Sequence, residues 1–451
     1  MDIRADFAEH ASLVAAACER ALERSAAQGQ SLDGVLFHAG SARVYHADDQ
    51  AIPFRPVPHF ARWAPLPGAG HWLACRPGER PRLSRVVPSD YWYGEPAPPP
   101  LPEGALEAVY DVERAASSVE AVARLGSLRG LAYVGDDREL ARSIGIAEQA
   151  IEPAPLIASL DWDRAEKTGY EVGCIREAAR VAALGHAAAR DAAHAGESER
   201  AIHAAYLDAA DLLESDCPYP HLLARNEASA VLHYESKRGS CEGRELSFLI
   251  DAGAPCRGYA SDITRSYALR DAHPVFRELL EGMEQLQADL VAAVAPGSYL
   301  ALHLRAARGV CSLLRDSGVL RIEPDAALER ELDRTFLPHG LGHHLGLQVH
   351  DVGGHQITPA GDRSPPPARA PHLRTTRPLE AGHVVTIEPG LYFIPLLLDQ
   401  LRASAHAECV DWALVDELRP SGGIRVEDDV HVTAAGCESL SRPWLPGATR
   451  A

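Results

Sequence analysis

No Cys-x-x-Cys pair occurs in this 451-residue chain, whose nine cysteines are scattered from Cys18 to Cys437. An odd, unpaired set argues against a disulfide framework or a zinc knuckle and fits reduced thiols. No run approaches the ~18 apolar residues of a membrane span. The longest apolar stretch, residues 391–398, is broken by Pro395. Residues 1–10 are charged and lack the apolar core of a signal peptide, so a cytoplasmic location is expected. Basic residues are in deficit. Lys plus Arg is 44 against 63 for Asp plus Glu, a formal net charge of −19. Such a balance disfavours nucleic acid and anionic membrane as partners.

The length allows two or three domains with large cores. Residues 1–30 read as an amphipathic helix rich in Ala, Leu and Glu. Strand-like segments follow at 34–45, 71–75 and 131–134, and 140–147 reads as helix. The Pro-rich segment 95–102 is a stiff loop. Residues 1–160 thus form a small α/β domain. From Arg164 the character changes. Residues 171–195 carry apolar positions at helical spacing, Gly196 can end that helix, and Ser198 can cap the next one through Asp211. Strands are expected at 230–233, 246–252 and 259–269, and helices at 275–294 and 302–317. A loop-rich block, 337–377, carries many histidines. The fold class is α/β (α+β), with residues 161–451 as the second domain.

The chemistry sits in separated blocks. Asp251 lies in Leu-Ile-Asp-Ala-Gly, Asp262 in Ser-Asp-Ile-Thr-Arg, Glu388 in Thr-Ile-Glu-Pro-Gly and Glu427 in Ile-Arg-Val-Glu-Asp-Asp. Residues 255–258 (Pro-Cys-Arg-Gly) suit a four-residue turn. A hairpin closed on it sets Ala254 against Tyr259, Gly253 against Ala260 and Asp251 against Asp262. Carboxylates opposed across strands, with Cβ atoms about 4.5–5.5 Å apart, repel unless a proton or metal intervenes. The apolar run 384–387 delivers Glu388 from a buried strand, where an unpartnered carboxylate is costly. Arg425 and Glu427 are two apart and share a strand face. The block Pro338-His339-Gly340-Leu341-Gly342-His343-His344, followed by Val349-His350-Asp351, holds four histidines in twelve residues. Its glycines allow close backbone approach. Spacing leaves open which histidine binds metal. Four carboxylates plus an imidazole, without thiolate, form a hard donor set suited to two divalent cations with shared carboxylates.

These blocks resemble the prolidases (Xaa-Pro dipeptidases) of the pita-bread metallopeptidase superfamily, in the branch of bacterial prolidases and organophosphorus acid anhydrolases. The resemblance spans nearly the whole chain. Its N-terminal part is carried by Asp-Asp-Gln-Ala-Ile-Pro-Phe-Arg-Pro-Val-Pro-His-Phe-Ala-Arg-Trp (48–63) and Pro-Ser-Asp-Tyr-Trp (88–92), and Asn-Glu-Ala-Ser-Ala-Val-Leu-His-Tyr (226–234) is a further matching block. It implies a C-terminal pita-bread catalytic domain with two Mn(II) ions per subunit, cobalt and zinc also being compatible with the donors. Asp251 would bind one ion, Asp262 and Glu427 both, and His343 and Glu388 the second. A bridging hydroxide would be the nucleophile, with Glu388 taking its proton. His339 and His350 would stabilise the tetrahedral intermediate and assist proton transfer to the proline nitrogen. Tyr219, His233 and Arg425 would contact the dipeptide, Arg425 at its carboxylate, and Tyr299 and Leu373 would line the pocket. His344 stands where some relatives have Pro and adds a potential ligand. The family is commonly dimeric, and the N-terminal domain, through Asp48 or Asp49, would reach the partner's site.

The expected activity is hydrolysis of Xaa-Pro dipeptides to a free amino acid and proline, with organophosphorus ester hydrolysis as a side activity. An aminopeptidase P-like enzyme acting on longer Xaa-Pro peptides is the alternative within the same chemistry. A non-catalytic binding protein on the same fold is the alternative outside it, disfavoured because all five ligand positions are filled.

Overall fold

The computed structural model describes residues 2–89, 91–92, 94, 97–241 and 243–445. Asp90 of the Pro88 block, with Glu95 and Pro96 of the Pro-rich segment, lies outside them. Packing divides the chain into two units, Met1–Glu171 with Gln356–Arg363, and Val172–His355 with Ser364–Ala451.

In the first unit, Asp2 caps the helix Ile3–Ala27 by accepting from Arg4 and Ala5 N–H groups at 3.2 and 3.3 Å. Phe7, Val14, Ala17, Cys18, Ala21 and Leu22 form its buried stripe. Five strands, β1 (Gly34–His38), β2 (Trp72–Cys75), β3 (Arg82–Val86), β4 (Asp111–Ala115) and β5 (Leu131–Val134), make one sheet ordered β4-β3-β2-β1-β5. β1 pairs with β5, and β3 with β4, in parallel. Leu36, Trp72, Tyr133, Ala121 and Ala141 meet in the core on one side of it. The helix expected at 140–147 is Arg138–Ser143, capped by Asp137. Strands β3 and β4 carry too many charged residues to have been read from the sequence.

The second unit begins along the Ala-rich helix Gly169–His194. Ser198 caps the next helix, Glu199–Ala210, by accepting from Ala201 N–H. β6 (Leu222–Arg225), β7 (Ser247–Asp251), the short pair β8 (Pro255–Cys256) and β9 (Tyr259–Ala260), and β10 (Thr264–Ala268) follow. β7 is the centre of a three-stranded sheet, β10-β7-β6. The strand expected at 230–233 does not form. Asn226, at φ 56°, starts a 3₁₀ turn over Asn226–Ala230, and its side-chain oxygen accepts from Leu246 and Ser247 N–H groups. That side-chain commitment turns the chain out of β6 before the apolar run can extend it.

The hairpin register also differs from expectation. Arg257 and Gly258 have φ 51° and 88°, so the reversal is a tight two-residue turn, and Cys256 pairs with Tyr259. Asp251 therefore pairs with Thr264 rather than Asp262. The displacement is two residues, one full pleat repeat. Asp262 stays on the face of Asp251 but lies diagonal to it.

Helices Pro274–Ala292 and Tyr299–Asp316 pack against each other with a core of Phe276, Leu279, Met283, Val310 and Leu314. The remaining strands are β11 (Val384–Ile387), β12 (Gly390–Tyr392), β13 (Gly423–Arg425), β14 (Asp428–Thr433) and β15 (Gly436–Ser439). β11 pairs with β14 and β12 with β13, both antiparallel. Among the described residues no helix is long and apolar enough to cross a membrane.

Candidate metal centre and active site

Each acidic block ends or follows a strand of the second unit. β7 ends at Asp251, Asp262 precedes β10, Glu388 follows β11, and Glu427 links β13 to β14. Bridging of Thr264 to Glu427 joins two of these blocks directly. The Thr264 hydroxyl donates to Glu427 Oε2 at 2.6 Å.

Buried ligand atoms of Asp262, His343 and Glu427 all lie within 4.8 Å of one another. His343 Nε2 is 3.4 Å from Asp262 Oδ2 and 3.8 Å from Glu388 Oε1. The structure thus gathers four of the five expected ligands, and Asp251 stands beside them. Its Oδ2 accepts from Arg425 at 2.6 Å, while its buried Oδ1 has no hydrogen-bond partner.

The loop 339–344 sets the imidazole. Gly342, at φ 151°, comes so close that a Cβ there would collide with the Thr386 backbone oxygen and the Tyr299 hydroxyl. Thr386 Oγ1 accepts from the His343 backbone N–H at 3.2 Å. His343 Nδ1 faces the His344 carbonyl at 3.0 Å. A carbonyl only accepts, so Nδ1 carries a proton and Nε2 is the nitrogen turned to the carboxylates. Against burial, Asp262 and Glu388 raise the His343 pKa, so positive charge is favoured at that nitrogen, as a proton or as a metal ion in its place.

Protonation tendencies carry the same message. Burial pushes Glu427 well above the usual carboxylate range, and Asp262, Glu388 and Asp251 add to it. Burial likewise brings Glu388 to about 7 against the pull of His343 and Arg425. Asp251 is raised, first by burial. Such a set resists full ionisation with only the protein's own cations present, so divalent ions fit it on geometry and charge.

The other expected site residues divide. His350 is exposed, with its ring edge-on to His343 at 4.4 Å between centroids. Burial, then His343 and Arg374, hold it down at about 4, so it is neutral near pH 7. His233 is exposed and close enough to add to that lowering. The Tyr219 hydroxyl is buried among Asp251, Asp262 and Glu427, which, after burial, drive its pKa well up. His339 is different: Nδ1 sits 2.7 Å from the Gly340 carbonyl and Nε2 2.9 Å from the Tyr392 hydroxyl. Both ring nitrogens are engaged within the protein, and burial and Arg425 depress its pKa to about 3. His339 and Leu373 line a cavity of about 430 Å³ with His303 and Arg369.

Two expected substrate contacts lie behind the ligands. Tyr299 is 1% exposed, and its hydroxyl donates to the Thr386 carbonyl at 2.8 Å, bracing β11. Arg425 is 5% exposed and spends Nε on Thr264 Oγ1 (3.1 Å), Nη1 on the Tyr392 hydroxyl (2.9 Å) and Nη2 on Asp251. His344 turns the other way, its ring edge-on to His383 at 4.8 Å. In the first unit, Asp48 and Asp49 are exposed in a turn where Asp48 Oδ1 accepts from Asp49 and Gln50 N–H groups.

Several functional neighbours escaped sequence reasoning. Tyr392 joins Arg425 to His339. Arg374, exposed, stands near His350. Asp428 accepts from Arg265, Gln287, Ser441 and Arg442 at 2.8–2.9 Å, while Arg265 Nη1 donates to the Glu427 carbonyl at 2.6 Å. That network fixes the backbone on which Glu427 sits. The only signal was the acid directly after Glu427 and the base directly after Thr264.

The chain is similar to known proteins over most of its length. Residues 173–434 match the family model described as metallopeptidase family M24, and residues 5–162 match the Xaa-Pro dipeptidase N-terminal domain. An Xaa-Pro dipeptidase of Marinobacter nauticus is 42% identical over 413 residues, covering 91% of this chain and 92% of the relative. One of Stenotrophomonas maltophilia is 37% identical over 450 residues, covering 98% of each. Among solved structures, the low-pH form of Escherichia coli aminopeptidase P superposes with a TM-score of 0.71 at 24% identity, covering 96% of both chains, a likeness of fold.

Proposed function

Since the chain belongs to metallopeptidase family M24, we propose that it is a metal-dependent Xaa-Pro dipeptidase. One observation carries the reading: buried Asp262, His343 and Glu427 converge to within 4.8 Å in the domain that the family model matches. Asp251, Asp262, His343, Glu388 and Glu427 are the residues that would hold two divalent ions. Manganese suits this oxygen-rich set, which Co(II) or Zn(II) also fits. Bound there, such ions supply Lewis-acid polarisation of the scissile carbonyl and a water acidic enough to react near neutral pH.

The chain's own residues do the rest. Glu388, directly after β11, is placed to accept and return a proton. His350, neutral and open to solvent beside His343, stabilises the developing oxyanion and helps deliver a proton to the proline nitrogen, which has no hydrogen of its own in the imide bond. His339 acts with it through Tyr392, which fixes its tautomer. His233 and Tyr219 contact the dipeptide. Arg425 orients Asp251, and Tyr299 braces β11 beneath the site. The proline carboxylate falls to Arg374, an exposed arginine near enough to His350 to lower its pKa, because Arg425 is buried with all three of its guanidinium nitrogens hydrogen-bonded within the protein.

We further assign two Mn(II) per subunit, a cytoplasmic homodimer, and a first unit that contributes Asp48 or Asp49 to the partner's site. The exposed Val44, Tyr45 and Ile52 beside those aspartates support pairing with a second copy. Organophosphorus esters are expected as slow alternative substrates. The deciding experiment is release of free proline from Leu-Pro with Mn(II), alongside Leu-Pro-Gly and the Asp262→Asn variant. Dipeptide turnover is expected to exceed tripeptide turnover and to vanish in the variant. Equal turnover on the tripeptide would make the enzyme an aminopeptidase P instead, and an active variant would remove Asp262 from the site.

A further inference from the structure

Two thiols meet at the tip of the hairpin that joins Asp251 to Asp262, and neither belongs to the metal centre. Cys256 ends β8 and is half-buried. Cys174 lies on the helix Gly169–His194 and is 1% exposed. Arg257 Nη1 reaches both sulfurs, at 3.5 Å from Cys256 Sγ and 4.0 Å from Cys174 Sγ. The positive φ of Arg257 in the tight turn allows this reach. The two thiols also act on one another, the pKa of Cys174 being raised and that of Cys256 lowered by the interaction.

We propose that Cys174 and Cys256 form a peroxide-sensitive dithiol that closes to an intramolecular disulfide. The partners divide the work. Cys256 is half-buried, has a guanidinium beside it at 3.5 Å, and so is the thiol of the two that ionises more readily. The neighbouring Cys174 thiol lowers its pKa first, against burial, with Arg257 and Arg180 assisting and Glu177 opposing. Cys174 is held in the thiol form by the same contact and by burial. Attack of the Cys256 thiolate on hydrogen peroxide forms an S–O bond, breaks the O–O bond and expels hydroxide, which takes a proton to become water. The Cys174 sulfur then displaces the oxygen of the sulfenic acid, an S–S bond forms, and its thiol proton leaves with that oxygen as a second water. Two thiols lose two electrons and one peroxide gains them. A dithiol reductant reverses the step.

A second thiol pair supplies an internal contrast. Cys18 and Cys75 are hydrogen-bonded in the first unit, 1% and 2% exposed, and the Cys18 thiol is driven well up by its partner and by burial. Pairing without access or a neighbouring guanidinium leaves that thiol inert.

The test uses the whole metal-loaded protein with Cys241→Ser, which removes the exposed thiol. A short hydrogen peroxide pulse is expected to remove two free thiols per chain. A non-reducing digest then yields one linked peptide pair containing Cys174 and Cys256, and dithiothreitol restores both thiols. In the Cys174→Ser background one thiol is lost, and dimedone labels Cys256. Thiol loss without the Cys174–Cys256 link, a Cys18–Cys75 link in its place, or no dimedone label on Cys256 would overturn the proposal.

Discussion

Arg425 Nη2 donates to Asp251 Oδ2 at 2.6 Å, so a buried guanidinium holds one oxygen of that carboxylate and leaves the other open. Replacing Arg425 by Met removes the clamp and strands the charge of Asp251. Loss of such an outer partner typically costs about 10–100-fold in metal affinity or activity. The expected result is a drop of that size in affinity for one of two ions, followed by Mn(II) titration calorimetry. Intact ion affinity with only a higher KM would mean that Arg425 serves the substrate carboxylate instead.

Arg374 gives the complementary prediction. Arg374→Ala is expected to raise KM for Leu-Pro while leaving ion affinity unchanged. A charge-assisted hydrogen bond contributes about 1.5–3 kcal/mol, so the increase should be roughly 10–150-fold. Leu-prolinamide, which has no carboxylate, should respond little to the substitution. A similar loss on both substrates would contradict the assignment.

Asp428 and Arg265 are buried at 0% and 1% exposure and paired at 2.8 Å. Arg265 and Arg442 hold the Asp428 carboxyl down at about 2, overcoming the burial that raises it. Asp428→Ala leaves the Arg265 guanidinium buried beside an apolar gap. Breaking one side of such a pair costs about 3–5 kcal/mol. Urea denaturation should show the unfolding free energy shift downward by that amount. A shift below about 1 kcal/mol would mean the network contributes little, as exposed pairs do.

His38 lies buried in the first unit, stacked on Trp72 at 4.0 Å, and burial lowers its pKa from 6.5 to about 4. Between those values the unfolded chain binds a proton that the folded one refuses. Stability therefore rises with pH across that window, is fully present above about 6.5, and drains away as pH falls towards 4. The contribution lost is on the order of 3 kcal/mol. His10, His59 and His71, also lowered by burial, act in the same direction. Denaturation from pH 7 to 4 should show His38→Gln losing less stability than the parent chain. Parallel losses would remove His38 from the account.

The ligand set was legible because strands carry a visible signature. Apolar runs lead into Asp251 and Glu388, and burying a carboxylate without a partner is too costly to be accidental. The hairpin register was not legible. Pro-Cys-Arg-Gly is as compatible with a four-residue turn as with a tight one, and only the positive φ at Arg257 decides between them. The role of Arg425 was also hidden, since its partners Tyr392 and Asp251 lie 33 and 174 positions away and nothing local announces them. Asp428 reads as one more acid in a polar run until Arg265 is placed over it. Strands β3 and β4 pair correctly despite their charges because sheet neighbours, rather than local preference, satisfy their backbones.

The two-residue turn at Arg257-Gly258 also constrains how this lineage can lose or gain length. A single amino acid added within that bend is absorbed as a longer loop, whereas one added between Asp262 and Thr264 would turn the Asp262 side chain away from Asp251. Length changes should accordingly survive selection at the bend and be purged between Asp262 and Thr264, a contrast that sequencing of natural or mutagenised populations would expose without any assay of the enzyme.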